Sequence, residues 1–396
     1  MTIETAEAIV IGLGAIGSAV LHRLARQGVR VIGIDRYHPP HDRGSSHGES
    51  RITRLAVGEG PAYAPLVRRS HQIWRELEAE SGERLFLQTG GLIMGPRDGG
   101  AHHHGKDDFV RRTIAVAQEY AVPHEVLDAD GIAARFPQFG LKGDEIGCYE
   151  PSAGVVFPET AIAVQLRLAA AHGAVVHLGE TVTDIRDTAG GVEVTTDHRV
   201  IDGARAVVTA GPWLGGLVDR NIAPLVPVYR QTLHWFSADD AGAYAPGRFP
   251  IFIWIHGGTQ EDYFYGFPAM NGEAAVKVAS ERYASATDPE SVDRVVSASE
   301  SEAIHKRHVA GRLRGVGSTR LRAAACLYTV TPDSGFIVDT VAQWRNVLVA
   351  SACSGHGFKH SAGLGELLAA RVTATSLGSD GPFALGRFSD LALIAG

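Results

Sequence analysis

The stretch Ala8-Ile9-Val10-Ile11-Gly12-Leu13-Gly14-Ala15-Ile16-Gly17 decides the reading of this chain, together with the apolar run from Val29 to Ile34 that ends on Asp35. Ala8 to Ile11 is a short continuous apolar segment of the kind found in buried parallel strands, and Ala19, Val20, Leu21 and Leu24 then recur at helical spacing up to Gly28. Strand, glycine turn, helix and second strand are the context in which G-x-G-x-x-G carries chemistry. The glycines allow a tight turn, close approach of backbone to a pyrophosphate, and close packing of helix on sheet, while the helix N-terminus stabilises phosphate charge. Asp35 would accept hydrogen bonds from a ribose hydroxyl and repel a 2′-phosphate. The pattern predicts a bound dinucleotide, against the plainer reading of a closely packed turn, and leaves FAD and a nicotinamide nucleotide both open.

Working outward, a loop rich in Pro, His and Gly (37–48) precedes Ser46-x-x-Glu49, a capping-box pattern that predicts a helix with His47, Arg51 and Arg54 on one face. A second helix is expected from Ala64 to Ser81, an exposed loop over 97–106, and two helices around a short strand over 107–135. Alpha/beta character returns with a helix over 159–172, a strand at Val175–Leu178, a hairpin at Gly190-Gly191 and a strand from Ala206 to Thr209. Residues 224–280 carry aromatics at alternating positions, Trp235, Phe252, Trp254, Tyr263, Tyr265 and Phe267, which predicts an antiparallel sheet with one covered face. A polar helix (289–309), strands at 327–330, 336–338 and 347–350, and a last helix from about Ala362 to Thr375 complete the α/β reading.

At 396 residues the chain is long enough for two domains. Its 37 basic and 44 acidic residues give a charge of −7, with no like-charged block able to grip a phosphate backbone, so nucleic acid is not expected as a partner. The longest apolar stretch, Ala8 to Leu21, is too short and too glycine-broken to span a bilayer, and its upstream flank is acidic; no membrane association and a cytoplasmic location are expected. Cys148, Cys326 and Cys353 are read as free thiols. His102, His103 and His104 are consecutive in a glycine-rich loop and His356 and His360 lack the glutamate of a zinc helix, so no metal site is expected.

Several separated segments resemble the sarcosine oxidase and N-methyltryptophan oxidase family of FAD-dependent amine oxidases. They are the turn at 12–17, Ser45-Ser46-His47-Gly48-Glu49-Ser50-Arg51-Ile52-Thr53-Arg54, Thr209-Ala210-Gly211-Pro212-Trp213, Tyr265-Gly266-Phe267-Pro268 with Lys277 after it, Cys326-Leu327-Tyr328-Thr329-Val330-Thr331-Pro332-Asp333, and Gly355-His356-Gly357-Phe358-Lys359. The resemblance implies a Rossmann-like, glutathione-reductase-like FAD-binding domain with a second antiparallel-sheet substrate domain. The expected division gives 1–85, 148–220 and 318–385 to the FAD-binding domain, and 86–147 and 221–317 to the substrate domain.

The resemblance also implies roles. FAD would be held by Gly12, Gly14, Gly17, Asp35, Ser45, Arg51, Gly355, Gly357 and Lys359 and joined covalently to Cys326 by a thioether. Arg54 and Lys359 would clamp the substrate carboxylate, since a guanidinium fork and an ammonium together suit that group. Lys277, in the alternating segment Ala274-Ala275-Val276-Lys277-Val278-Ala279, would be the lysine beside which O2 reacts, with His47, Arg51 and Tyr265 also in the catalytic set. Two positions depart from the family: Glu281 stands where sarcosine-type members carry a histidine, and Val57 where they carry a tyrosine. Glu281 therefore joins the expected substrate-binding residues, and the preferred substrate is expected to be a secondary or N-methylated α-amino acid bulkier than sarcosine, or cationic. The expected partners are that amine and O2, and the expected assembly a monomer or small homo-oligomer. A nicotinamide-dependent reductase, an oxidase or dehydrogenase of another amine, and a non-catalytic flavoprotein are the competing readings.

Overall fold

The computed structural model describes residues 2–218, 221–378 and 381–389; the expected segment ends at residues 1 and 220 lie outside them. The opening strand, Thr2–Ile11, sits between Arg199–Val208 and Val31–Asp35 and runs parallel to both. Val175–Leu178 extends this sheet beyond Val31–Asp35, and Trp344–Ser351 joins Arg199–Val208 in parallel although it lies far along the chain. The hairpin of Val182–Thr188 and Gly191–Thr196 continues it in antiparallel register.

Strand residues alternate between faces. Ala8 and Val10 enter one core with Val20, Leu24, Leu348, Leu364 and Leu368, whereas Ile9 and Ile11 enter another with Ile34, Val194, Val208 and Val349. Both faces are covered, which explains why the strand reads as an unbroken apolar run. Helices Ala15–Arg26, Pro158–Ala171 and Ser361–Thr373 pack together in the first layer.

The second sheet has the order Val316–Thr329, Val228–Ala238, Ala275–Ser280, Tyr263–Gly266, Ile251–Ile255, Gly91–Pro96, Glu145–Glu150, Glu125–Asp128. It is antiparallel except between Ile251–Ile255 and Gly91–Pro96. Phe236, Phe252, Trp254, Phe264, Val276 and Val278 cover its core face with Phe139 and Phe249. Residues 316–329, assigned above mostly to the nucleotide-binding part, run in this second sheet because they pair along the whole length of Val228–Ala238.

Two expected helices differ. The polar helix over 289–309 is confined to Ala298–Ile304, capped by Ser297 and Glu300, with a π turn at His305–Val309. The helix after residue 48 does not form: residues 45–50 are irregular and Arg51–Thr53 is a strand paired with Gly154–Val156. Among the described residues, no helix is long and apolar enough to cross a membrane.

Candidate active site

A cavity of about 400 Å³ runs from Gly12, Gly14 and Asp35 past Ser45 and Arg51 to Arg54, Glu281, Gly355, Gly357 and Lys359. At its first end the helix Ala15–Arg26 begins without a side-chain cap, which leaves first-turn N–H groups free for a phosphate. Gly17 is required by packing: a Cβ there would lie 1.8 Å from the Gly12 carbonyl oxygen. The Asp35 carboxylate accepts the Leu13 N–H at 2.7 Å and the Tyr37 N–H at 2.8 Å, which fixes it beside the turn. Burial pushes its pKa up and those two N–H groups oppose the rise. An uncapped helix start, a turn closed to any side chain and an oriented buried acid fit the adenosine and pyrophosphate of FAD.

Residues 45–54 reach the site by a route other than a helix. Gly48 and Glu49 both have positive φ, 96° and 71°, and their N–H groups are taken by the Glu159 carboxylate at 2.6 and 3.0 Å. Left-handed backbone and a remote acceptor rule out the local capping box. His47, Arg51 and Arg54 consequently do not share a helix face. Arg51 donates to the carbonyls of Ser45 (2.7 Å) and Ser50 (2.8 Å), and one of its nitrogens lies 3.7 Å from the Cys326 sulfur. His47 is buried with Nε2 unpartnered, and burial, helped by the Arg51 charge, lowers its pKa to about 4.

Arg54 and Lys359 do converge, and on a residue the sequence reading passed over. The Glu59 carboxylate accepts from Arg54 at 2.8 Å through one oxygen and from Lys359 at 2.9 Å through the other. Burial alone would raise the pKa of Glu59, but the two cations outweigh it and hold the carboxyl well below its usual range. Burial lowers the Lys359 pKa to about 8 despite the Glu59 charge. Arg54 also lies 5.4 Å from the Phe109 ring centroid, so the clamp is walled by aromatic carbon.

The loop over 97–106 is not simply exposed. Ala101 and His103 are buried, and the His104 side chain, 6% exposed, reaches between Glu59 (3.6 Å) and Glu281 (3.3 Å). Burial would lower the His104 pKa, but the two carboxylates raise it above the ordinary histidine value. Glu281 is held down to about 2, chiefly by His104 against burial, and accepts from the Tyr283 hydroxyl as well. Gly355 is the close neighbour that permits this: its φ is +78°, and a Cβ would come within 2.7 Å of the Glu281 carboxylate. The donor atoms of His103, His104 and Glu281 lie within 4.8 Å of one another, close enough to hold a metal ion, which the run of histidines in the sequence did not suggest, and His104 is at the same time shared by two carboxylates. The arrangement is therefore a buried chain of ion pairs, Arg54, Glu59, His104, Glu281. Nothing in the local pattern of 57–60 or 101–105 signals it, because the links made by His104 join residues distant in sequence.

Lys277 is 3% exposed and donates to Gly48 O (2.6 Å), Ser50 O (3.0 Å) and Ser50 Oγ (3.0 Å). Burial, and then the neighbouring Arg51 charge, pull its pKa well below the ordinary lysine value. Tyr265 lies on the cavity wall with its hydroxyl 3.1 Å from that of Tyr328. Cys326 is buried one layer behind the wall, 3.6 Å from the Ser45 carbonyl oxygen, and burial raises its pKa against the pull of Arg51 and Lys277. Cys353 lines the cavity directly. All three cysteines are free.

Known proteins resemble this chain over nearly its whole length. The chain is 37% identical over 369 residues to a monomeric sarcosine oxidase of Streptomyces avermitilis, covering 92% of this chain and 93% of that protein. It is 34% identical over 385 residues to an N-methyl-L-tryptophan oxidase of Salmonella newport, covering 96% and 98%. Among solved structures, NikD, described as an unusual amino acid oxidase, superposes with a TM-score of 0.80 at 24% identity and 97% coverage of both chains, which shows the shared fold. The family of FAD dependent oxidoreductases known as DAO matches residues 7–371. With that match over nearly the whole chain and relatives above 30% identity across it, the chain belongs to the DAO family of FAD-dependent oxidoreductases.

Proposed function

We propose that this enzyme oxidises a secondary or N-methylated α-amino acid at the carbon beside nitrogen, releasing an imine that hydrolyses in water, and reduces O2 to hydrogen peroxide. FAD, when bound, supplies the chemistry by accepting a hydride equivalent and passing two electrons to oxygen. The observation that carries the reading is the convergence of Arg54 and Lys359 on the two oxygens of one carboxylate. A site that already holds Glu59 in this way is built for carboxylates, and a substrate carboxylate would share or take over the same donors. Its amine then lies toward Tyr265 and Glu281. Glu281 is engaged by His104 and Tyr283, which supports a bulky side chain over a cationic one.

Lys277 is assigned to the O2 half-reaction, where a cation stabilises the negative charge developing on oxygen. The tether is assigned to Cys326, with Arg51 and Lys277 favouring its thiolate; Cys353, though nearer the cavity, packs against Cys326 as a partly buried neighbour. Free cysteines throughout suit a reducing compartment such as the cytoplasm. Peroxide release from a panel of N-methyl amino acids, each beside its matching N-methylamine, tests the function. Preference for the amino acids by one to three orders of magnitude in kcat/KM is expected; equal turnover of amines without a carboxylate would overturn the clamp.

A further inference from the structure

Lys277 does not line the large cavity. It closes the inner end of a second one, of about 20 Å³, whose walls include Ser50, Trp235, Ala275 and Arg322, and the two cavities have no lining residue in common. That volume admits a molecule about the size of water and excludes an amino acid.

Strand register builds the passage. Val228–Ala238 sets Trp235 opposite Lys277 on one neighbouring strand and opposite Arg322 on the other. Directly paired residues point to the same face, so Lys277, Trp235 and Arg322 form a row from interior to surface. Nζ of Lys277 is 5.3 Å and the Arg322 guanidinium carbon 4.8 Å from the Trp235 ring centroid. At the outer end Arg322 pairs with Glu49 and, at 2.7 Å, with Glu273, all three side chains being 41–50% exposed. Ion pairs this exposed are weak and salt-sensitive, and suited to opening and reclosing. The inner walls, Trp235, Phe157 and Ala275, are apolar.

We propose that this small cavity is the port through which dioxygen reaches Lys277, with Arg322 as its gate. The inference rests on the reading of Lys277 given above. Dioxygen is neutral and small, gains from apolar walls and is not steered by the two cations, whose charge matters only once oxygen is reduced. Amino acid and oxidant then enter by separate openings, and a carboxylate ligand in the large cavity leaves reoxidation unimpeded.

The test combines stopped-flow half-reactions with a structural probe. Ala275→Leu, which fills the passage, is expected to lower the second-order rate constant for reoxidation at least tenfold, and Arg322→Ala to raise it severalfold and remove its salt dependence. Anaerobic reduction by substrate stays at the wild-type rate in both. Crystals of the holoenzyme pressurised with dioxygen are expected to show it beside Trp235 and Ala275, and this measurement, with Arg322→Ala, decides the matter even if Ala275→Leu fails to fold. No dioxygen in the cavity of the pressurised crystals, or unchanged reoxidation in Arg322→Ala or in folded Ala275→Leu, would overturn the port. Lys277→Met separates this from the underlying reading: slow reoxidation in that variant with an overturned port leaves the lysine's role intact, whereas normal reoxidation removes both.

Discussion

Lys277 spends each of its three N–H bonds on an oxygen of Gly48 or Ser50 and sits among aromatic rings, a setting made for an ammonium even though burial and Arg51 weaken its hold on the proton. A cation about 4 Å from a developing oxygen anion is worth up to about 4 kcal/mol at an effective dielectric near 20, or about a thousandfold in rate. Lys277→Met should therefore slow reoxidation by O2 a hundredfold or more while leaving anaerobic reduction much less affected. Because the lysine is cationic below its depressed pKa, wild-type reoxidation should fall as pH rises through a value under 10.5, and the variant should lose that dependence. Lys359 obeys the same sign: its pKa near 8 means that the clamp loses one cation as pH rises past that point. Amino acid KM should climb there, toward a ceiling of about 1.5–3 kcal/mol for one charged hydrogen bond, which is about 10- to 150-fold. The two clamp cations were legible in the sequence because each lies in a motif that resembles the family. Glu59 and His104 were not, since their meaning arises from partners such as Lys359, 300 positions away.

At the scale of elements, the glycine turn shows how local pattern and tertiary packing coincide, and residues 45–50 show how they part. Strand, turn and helix at 2–26 follow the sequence because every local preference points to one answer. Gly17→Ala would drive a methyl group into the Gly12 carbonyl, so the purified variant should contain little flavin by its visible spectrum even if it folds. Ser46 and Glu49 carry the same letters as the real capping box at Ser297 and Glu300, yet form none. The difference is Glu159, brought in at the start of Pro158–Ala171, which claims the N–H groups of Gly48 and Glu49. No inspection of residues 45–54 alone reveals that competitor. Glu159→Ala should cost about 1–3 kcal/mol, the loss expected when buried N–H groups go unpaired, seen as a lowered Tm. It should also slow reoxidation, because the carbonyl of Gly48 helps seat Lys277.

Across the whole molecule, the aromatic alternation over 224–280 correctly announced a second sheet, but its limits were not readable, because pairing with Val228–Ala238 draws in residues 316–329. That sheet carries both Lys277 and Cys326, while the first supplies the nucleotide turn, so FAD bound in the proposed way would bridge the two. Cys326→Ser should therefore give a protein whose Tm rises with added FAD, by about 2.7 kcal/mol of stabilisation at a hundredfold excess over Kd. Wild-type enzyme, with its flavin retained after acid precipitation and mapped to the Cys326 peptide, should show no such dependence. The position of Trp344–Ser351 inside the first sheet, and of Ser361–Thr373 against the helix Ala15–Arg26, carries a consequence for the birth of the protein. During synthesis the nucleotide turn is made long before Ser361–Thr373, so its helix stays only partly covered, by Pro158–Ala171, until that later segment emerges. Chains stalled before residue 361 should be bound by chaperones and be unable to retain flavin, so that cofactor capture waits for the helix Ser361–Thr373 to emerge.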